Sequence, residues 1–260
     1  MKTCDVCGGS CKELGGGKYK CNFCGATYSE EDFAPKSNSG SGSKQSNVAQ
    51  KGGVDVFESS VGGVLEITWS ANGCLFSGSG LLITKDGYGI TNAHVVVDDR
   101  NNAVANVNVS VAGKKVTARV VGIGTPSGER DYGRGDDLAL IKLNTVPSGA
   151  KVLEFENYSN VRTGEAVFVI GNSLGYGTCI TRGIVSDRRR NVDGRPRLMT
   201  DCATNGGNSG GPVFNEQGKV VGVHVSAALL NDGEHADGMK YEIPSDIVID
   251  FIRKYLPYFG

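Results

Sequence analysis

From residue 54 onward, short apolar runs alternate with turn residues. The runs 61–69, 79–84, 90–97, 104–112, 116–121, 138–143, 166–170, 183–185, 212–214 and 219–225 are each of strand length, with Gly, Asn and Asp between them. About ten such runs, punctuated roughly every 8–15 residues, predict an antiparallel sandwich or a pair of barrels. The chain's end reads differently. Pro244-Ser245-Asp246 has the form of a helix start, and Ile247, Val248, Phe251, Ile252 and Tyr255 then fall on one helical face, which predicts a closing amphipathic helix. A weaker signal suggests a short helix near residues 56–60. No internal repeat is seen.

Composition sharpens this picture. Glycine contributes 39 of 260 residues and proline 7. The glycine share is about twice the average, but the two together stay below the range that marks a low-complexity chain, so most glycines read as turns. A net charge of −1 and a pI near 6.3 give no large positive field, which argues against a nucleic-acid partner and a basic membrane-surface role. No apolar run approaches the roughly 18 residues of a bilayer span. The first residues, Met-Lys-Thr-Cys-Asp-Val-Cys, contain no apolar leader core. A cytoplasmic location is therefore expected.

Cysteine placement divides the chain. Five of the eight, Cys4, Cys7, Cys11, Cys21 and Cys24, lie within the first 24 residues, and Cys74, Cys179 and Cys202 are scattered. Eight cysteines as a disulfide framework belong to small exported domains. The dispersed three therefore read as free, small, buried hydrophobes. Cys4-Asp5-Val6-Cys7-Gly8 and Cys21-Asn22-Phe23-Cys24-Gly25 are two C-x-x-C-G knuckles, each presenting a pair of thiolates, and four thiolates close a tetrahedral Zn²⁺ site. Between them Gly15-Gly16-Gly17 predicts a turn and Lys18-Tyr19-Lys20 a strand. The stretch 1–33 thus resembles a zinc ribbon, too small to bury a core, with metal supplying most of its folding energy. Cys11 exceeds the ligand count. With seven Lys against five acids over residues 1–53 and no basic stripe, a protein partner or a purely structural role is expected for the ribbon. A redox role for the pairs is a third option. Residues 34–53, rich in Ser and Gly, read as a flexible linker, and 54–260 as the β-rich domain.

Three segments of that domain carry chemistry. Gly89-Ile90-Thr91-Asn92-Ala93-His94 delivers a histidine at a strand end. Asp136-Asp137-Leu138-Ala139-Leu140 sets an acid before an apolar strand, and Asn205-Gly206-Gly207-Asn208-Ser209-Gly210-Gly211 cradles a serine in glycines. A serine hydroxyl is nearly inert at neutral pH. It needs a base, and the base needs an acid to fix its tautomer. His94 and Asp137 are the candidates, with Asp136 expected to be a solvated neighbour. The glycines free the N–H groups of Gly207 and Ser209 to form an oxyanion hole.

On these segments the part from residue 54 resembles the chymotrypsin-fold serine peptidases, particularly the HtrA/DegP-like branch and the neighbouring glutamyl endopeptidases. Gly78-Ser79-Gly80-Leu81, Gly171-Asn172-Ser173-Leu174-Gly175, Gly183-Ile184-Val185-Ser186, Thr200-Asp201 and Glu242-Ile243-Pro244-Ser245 extend the likeness. The resemblance implies an all-β double six-stranded barrel with the triad in the cleft, closed here by a C-terminal helix and preceded by the ribbon and linker. It implies peptide or protein substrates and no cofactor for catalysis. HtrA-like proteins usually carry an export signal and a PDZ domain. Neither is seen, so control by such a domain in cis is not expected.

Specificity stays open between two readings. Thr204 and His224 occupy the offsets from Ser209 at which glutamyl endopeptidases contact an acidic side chain before the scissile bond, and a hydroxyl and an imidazole suit a buried carboxylate. HtrA-like enzymes instead prefer small apolar side chains. Arg182, Arg188, Arg189, Arg190, Arg195 and Arg197 crowd the approach to this region, and Lys240 precedes a further wall. The expectation is a serine endopeptidase. The alternative is an inactive peptidase fold that binds partners through its cleft and ribbon.

Overall fold

Two units make up the chain, Met1–Asn47 and Val48–Gly260. The computed structural model describes residues 2, 10–22, 27–30, 51–125, 136–192, 194–229 and 235–259.

In the smaller unit β1 (Cys11–Gly15), β2 (Lys18–Cys21) and β3 (Thr27–Ser29) form a three-stranded antiparallel sheet. The reversal between β1 and β2 runs through Gly15, Gly16 and Gly17, all at positive φ, where only glycine is free of strain. Turn and strand stand where the sequence places them. Tyr19 is buried in this sheet, with its hydroxyl on Glu30 and the Lys2 ammonium 3.8 Å from its ring centre. Of the expected metal ligands, Cys4, Cys7 and Cys24 lie outside the described residues, and Cys21 ends β2. All but the last three residues of the expected linker also lie outside them.

The larger unit begins with α1 (Gly53–Ser60) and continues through twelve strands. The first six are β4 (Val64–Ala71), β5 (Cys74–Leu82), β6 (Tyr88–Thr91), β7 (Asn106–Val111), β8 (Lys114–Ile123) and β9 (Ala139–Leu143). They close into one barrel in the order β4-β5-β6-β9-β8-β7. The second six are β10 (Ala166–Asn172), β11 (Thr178–Val192), β12 (Arg195–Thr200), β13 (Pro212–Asn215), β14 (Val220–Leu229) and β15 (His235–Pro244). These close in the order β10-β11-β12-β15-β14-β13. The double barrel implied by the resemblance is therefore the fold, and α2 (Ser245–Arg253) ends it as the helical spacing predicts.

Alternating side chains fill each barrel. Leu65, Ile67 and Trp69 of β4 meet Val107, Val109 and Val111 of β7 in the first, and Val167, Val169, Val185, Leu198, Val213 and Val221 fill the second. A third cluster forms the seam between barrels. It joins Leu81, Ile90 and Leu140 to Ile170, Phe214, Val223 and Val225, and reaches Val248, Phe251 and Ile252 of α2.

The sequence pattern shows ten of these twelve strands. It misses β12 and β15, whose polar content hides their alternation. Arg197 in β12 and Lys240 and Glu242 in β15 are buried charged side chains. Two runs also overshoot. Residues 61–63 form a 3₁₀ turn before β4, and the run 90–97 breaks after Thr91 into the 3₁₀ turn Ala93–Val96. Of the dispersed cysteines only Cys202 is buried. Cys74 sits exposed at the β4–β5 hairpin and Cys179 is half-buried in β11, because each falls on an outward or edge position of its strand.

Candidate active site

The 3₁₀ turn Ala93–Val96 lifts His94 out of the first barrel at the seam. The indole N–H of Trp69 donates to the Val95 carbonyl at 2.8 Å and pins this turn from below. Asp137 enters from the opposite side, directly before β9. It is fully buried and adopts φ +41°, the left-handed region that non-glycine residues seldom occupy. Its own surroundings hold it there. The Asp137 N–H donates to the Thr125 carbonyl at 3.0 Å, and the Asn92 amide donates to the Asp137 carbonyl at 2.9 Å. The carboxylate then grips His94 twice, through the backbone N–H at 3.0 Å and through Nδ1 at 2.8 Å.

Burial opposes a charge on His94, but the Asp137 charge and hydrogen bond outweigh it and raise the imidazole above its ordinary value. With Nδ1 engaged, Nε2 is the ring atom left to face the cleft.

Ser209 sits in the glycine loop before β13. Gly207 has φ +92°, and a Cβ there would lie 2.2 Å from the Asn172 carbonyl, so no other residue fits. The Gly206 carbonyl accepts from Leu174 N–H at 2.7 Å. In a trans peptide the C=O and the following N–H point opposite ways, so the Gly207 N–H is turned away from Leu174. Among the described residues, the N–H groups of Gly207 and Ser209 have no protein acceptor. The Ser209 hydroxyl donates to the Val225 carbonyl at 3.2 Å.

Ser79, in β5 of the other barrel, fixes this loop. Its hydroxyl donates to the Gly207 carbonyl at 2.7 Å and accepts from Asn172 N–H at 2.8 Å. Its N–H donates to the Ser209 carbonyl at 2.8 Å, and its carbonyl accepts from the Thr91 hydroxyl at 2.6 Å. Nothing in the sequence pattern marks Ser79, because its partners lie far away along the chain.

His94, Ser209, Thr204, Gly206 and His224 line one open cavity of about 650 Å³. The structure thus brings the expected serine, histidine and pocket residues to one place, with Asp137 behind His94. His224 is buried, and its Nδ1 lies 2.7 Å from Glu242 Oε2. The Thr200 hydroxyl donates to the other Glu242 oxygen at 2.8 Å. Cys202 lines the same cavity, and burial pushes its thiol up to about 12, which leaves it protonated and unreactive.

Two expectations need correction. None of the six arginines lines this cavity. Arg189 pairs with Asp246 at 3.0 Å, Arg195 pairs with Asp136 at 2.8 Å, and Arg197 is buried within the fields of Asp137 and Asp136. Asp136 is not a solvated neighbour. It takes Arg195 from β12 and Lys254 from beyond α2, and these cations outweigh the upward push of burial and lower its pKa.

Residues 78–223 match the model of the trypsin-like peptidase domain, and the chain belongs to that family. Curated relatives include the "Probable periplasmic serine endoprotease DegP-like" of Brucella suis biovar 1 (strain 1330), 34% identical over 184 residues that make up 68% of this chain and 33% of the relative. The protein of the same name from Hahella chejuensis (strain KCTC 2396) is 33% identical over 181 residues, 68% of this chain and 35% of that one. The chain therefore spans about a third of the length of these relatives. Among solved structures, "HtrA-type protease AlgW with tripeptide" superposes with a TM-score of 0.65 at 24% identity, covering 77% of this chain and 62% of that one. That likeness is one of fold.

The relatives' names place those proteins in the periplasm, which overturns the cytoplasmic expectation. That expectation rested on the missing apolar leader and membrane span, and neither property fixes a compartment. No helix among the described residues is long and apolar enough to cross a membrane.

Proposed function

We propose that the chain is a serine endopeptidase in which Ser209 is the nucleophile, His94 the general base and Asp137 the residue that orients it. The observation that carries this reading is the doubly hydrogen-bonded His94–Asp137 pair, opening onto the same cavity as Ser209. Ser209 turns from Val225 toward Nε2 when substrate arrives, since such contacts are often loose in the free enzyme. His94 takes the hydroxyl proton as Oγ attacks the scissile carbonyl, and later returns it to the leaving amine. The N–H groups of Gly207 and Ser209 receive the oxyanion.

An acidic side chain before the scissile bond is the preference this cavity supports. The Glu242 carboxylate and the Thr200 hydroxyl back His224 from inside the barrel. Held at Nδ1 in this way, His224 leaves Nε2 for the cavity it lines, and the Thr204 hydroxyl lining the same space can donate to a substrate carboxylate.

For the N-terminal unit, Cys4, Cys7, Cys21 and Cys24 are proposed to hold one structural Zn²⁺. Support comes from the spacing of the two knuckles and from thiolate preference for this metal.

A fluorophosphonate probe tests the enzymatic reading, applied both to the full chain and to a form trimmed near residue 53. Labelling of the wild type, absent in Ser209→Ala, is the expected result. If neither form labels, the cleft is a binding surface and not a catalytic one.

A further inference from the structure

Cross-strand register sets what stands deepest in the cavity wall. In β15, Lys240 lies opposite Thr200 of β12 and Ala227 of β14, and Glu242 lies opposite Leu198 and His224. Residues two apart on a strand share a face, so Lys240 and Glu242 both point into the second barrel. Glu242 is fully buried and has a hydrogen-bond partner in His224 Nδ1, with the Thr200 hydroxyl on its second oxygen.

Lys240 is different. It is only 7% exposed, yet among the described residues it has no ion pair and no side-chain hydrogen bond. Other lysines of this unit find partners, Lys142 on Asp86 and Lys254 on Asp136. Lys240 lines the cavity that holds Ser209 and His224. Its ammonium is also absent from the sealed, unsatisfied polar atoms, which are Asn92 Oδ1 and Thr181 Oγ1, so its opening is into that cavity. A buried cation without a counter-ion is costly, and a protein retains one where a ligand completes the pair.

Two acids, Asp201 and Asp237, also line the cavity, but both are exposed. Asp201 is occupied by the Ile184 N–H at 2.6 Å, and neither lies within ion-pair distance of Lys240. Rim carboxylates in water are screened, which leaves the Lys240 ammonium as the cavity-lining charge without a paired counter-charge among the described residues.

We infer that Lys240 is a specificity-determining residue, whose ammonium takes the carboxylate of a Glu or Asp side chain seated before the scissile bond. This rests on the acidic preference proposed above and names the charge that supplies it. His224, held at Nδ1 by Glu242, orients the carboxylate, and Lys240 balances it.

The test uses product-like peptides ending in Glu or in its uncharged isostere Gln, titrated calorimetrically into the full chain and into its Ser209→Ala form, so that it does not depend on turnover. The wild type should bind the Glu peptide about 100-fold tighter than the Gln peptide, in keeping with the loss of one partner from a buried charge pair. Lys240→Met should collapse that ratio toward one, and Lys240→Arg should keep most of it. A ratio that survives in Lys240→Met overturns the role of Lys240 while the acidic preference stands on Thr204 and His224. An equal weakening toward both peptides, or failure of the Arg form to restore the ratio, overturns it in favour of a structural lysine. A wild type that does not distinguish the two peptides removes the acidic preference and this inference together, leaving the peptidase reading to the labelling result.

Discussion

Asp137 combines two costs at one position, a fully buried carboxylate and a left-handed backbone. Each is of the kind that persists only where surrounding bonds over-determine it, and here Thr125, Asn92 and the backbone N–H and Nδ1 of His94 do so. Asp137→Asn would keep the shape but reverse one hydrogen bond and present the wrong tautomer at the cleft. The expected loss in kcat is about 10³–10⁴-fold, by analogy with other triads. The pH profile carries the second half of this prediction. His94 must be neutral to accept the serine proton, and Asp137 raises its pKa. The acid limb of kcat/KM should therefore fall as pH drops through a value above the ordinary one for histidine. In Asp137→Asn that limb should move to lower pH, and an unmoved limb would detach it from His94. At this scale the sequence was eloquent, because His94, Asp137 and Ser209 each sit in a short local signature. It named Ser79 and Glu242 only within stretches of the resemblance and Lys240 only as preceding a pocket wall, because their partners are brought near only by barrel closure.

Strands are where the hydrophobic pattern both succeeds and fails. It reads β4 or β7 directly, since their inner positions are aliphatic. It loses β12 and β15 because charged side chains stand buried in them, Arg197 in the first and Lys240 and Glu242 in the second. Strand β15, which lines the cavity with β14 through Asp237, Gly238 and Lys240, is thus one of the two the pattern hides. Strand β5 adds a further lesson, since Ser79 projects from it into the loop of the other barrel. Ser79→Ala would leave the Gly207 carbonyl and the Asn172 N–H buried without a partner. Each orphaned group costs about 1–3 kcal/mol, so a fall in Tm of roughly 5–20 °C is expected for a unit of this size. Activity should fall as well, because Gly207 loses its anchor. Calorimetry together with turnover of the folded fraction separates the two effects, and unchanged values for both would show that the hydroxyl positions nothing.

For the whole molecule, two units of different character share one chain. The larger has the continuous apolar seam of an independently folded domain. Among its described residues the smaller buries little beyond Tyr19 and its partners, and metal is proposed to hold it. Elemental analysis of purified protein should give about one Zn²⁺ per chain, as a single four-thiolate site requires. Cys4→Ser should lower that ratio without changing the melting of the larger unit, and a metal content unaffected by Cys4→Ser and Cys24→Ser would refute the site. The double barrel was legible only through resemblance, since short runs and turns alone are equally those of a sandwich.

The hydroxyl of Ser79 also bears on inheritance. One barrel supplies it and the other uses it to shape its serine loop, so neither half carries a complete recipe for that loop. Chimaeras that join the first barrel of one relative to the second of another should work only where both parents place a hydroxyl at this seam. The halves are bound to change together, although most of their surfaces could drift apart.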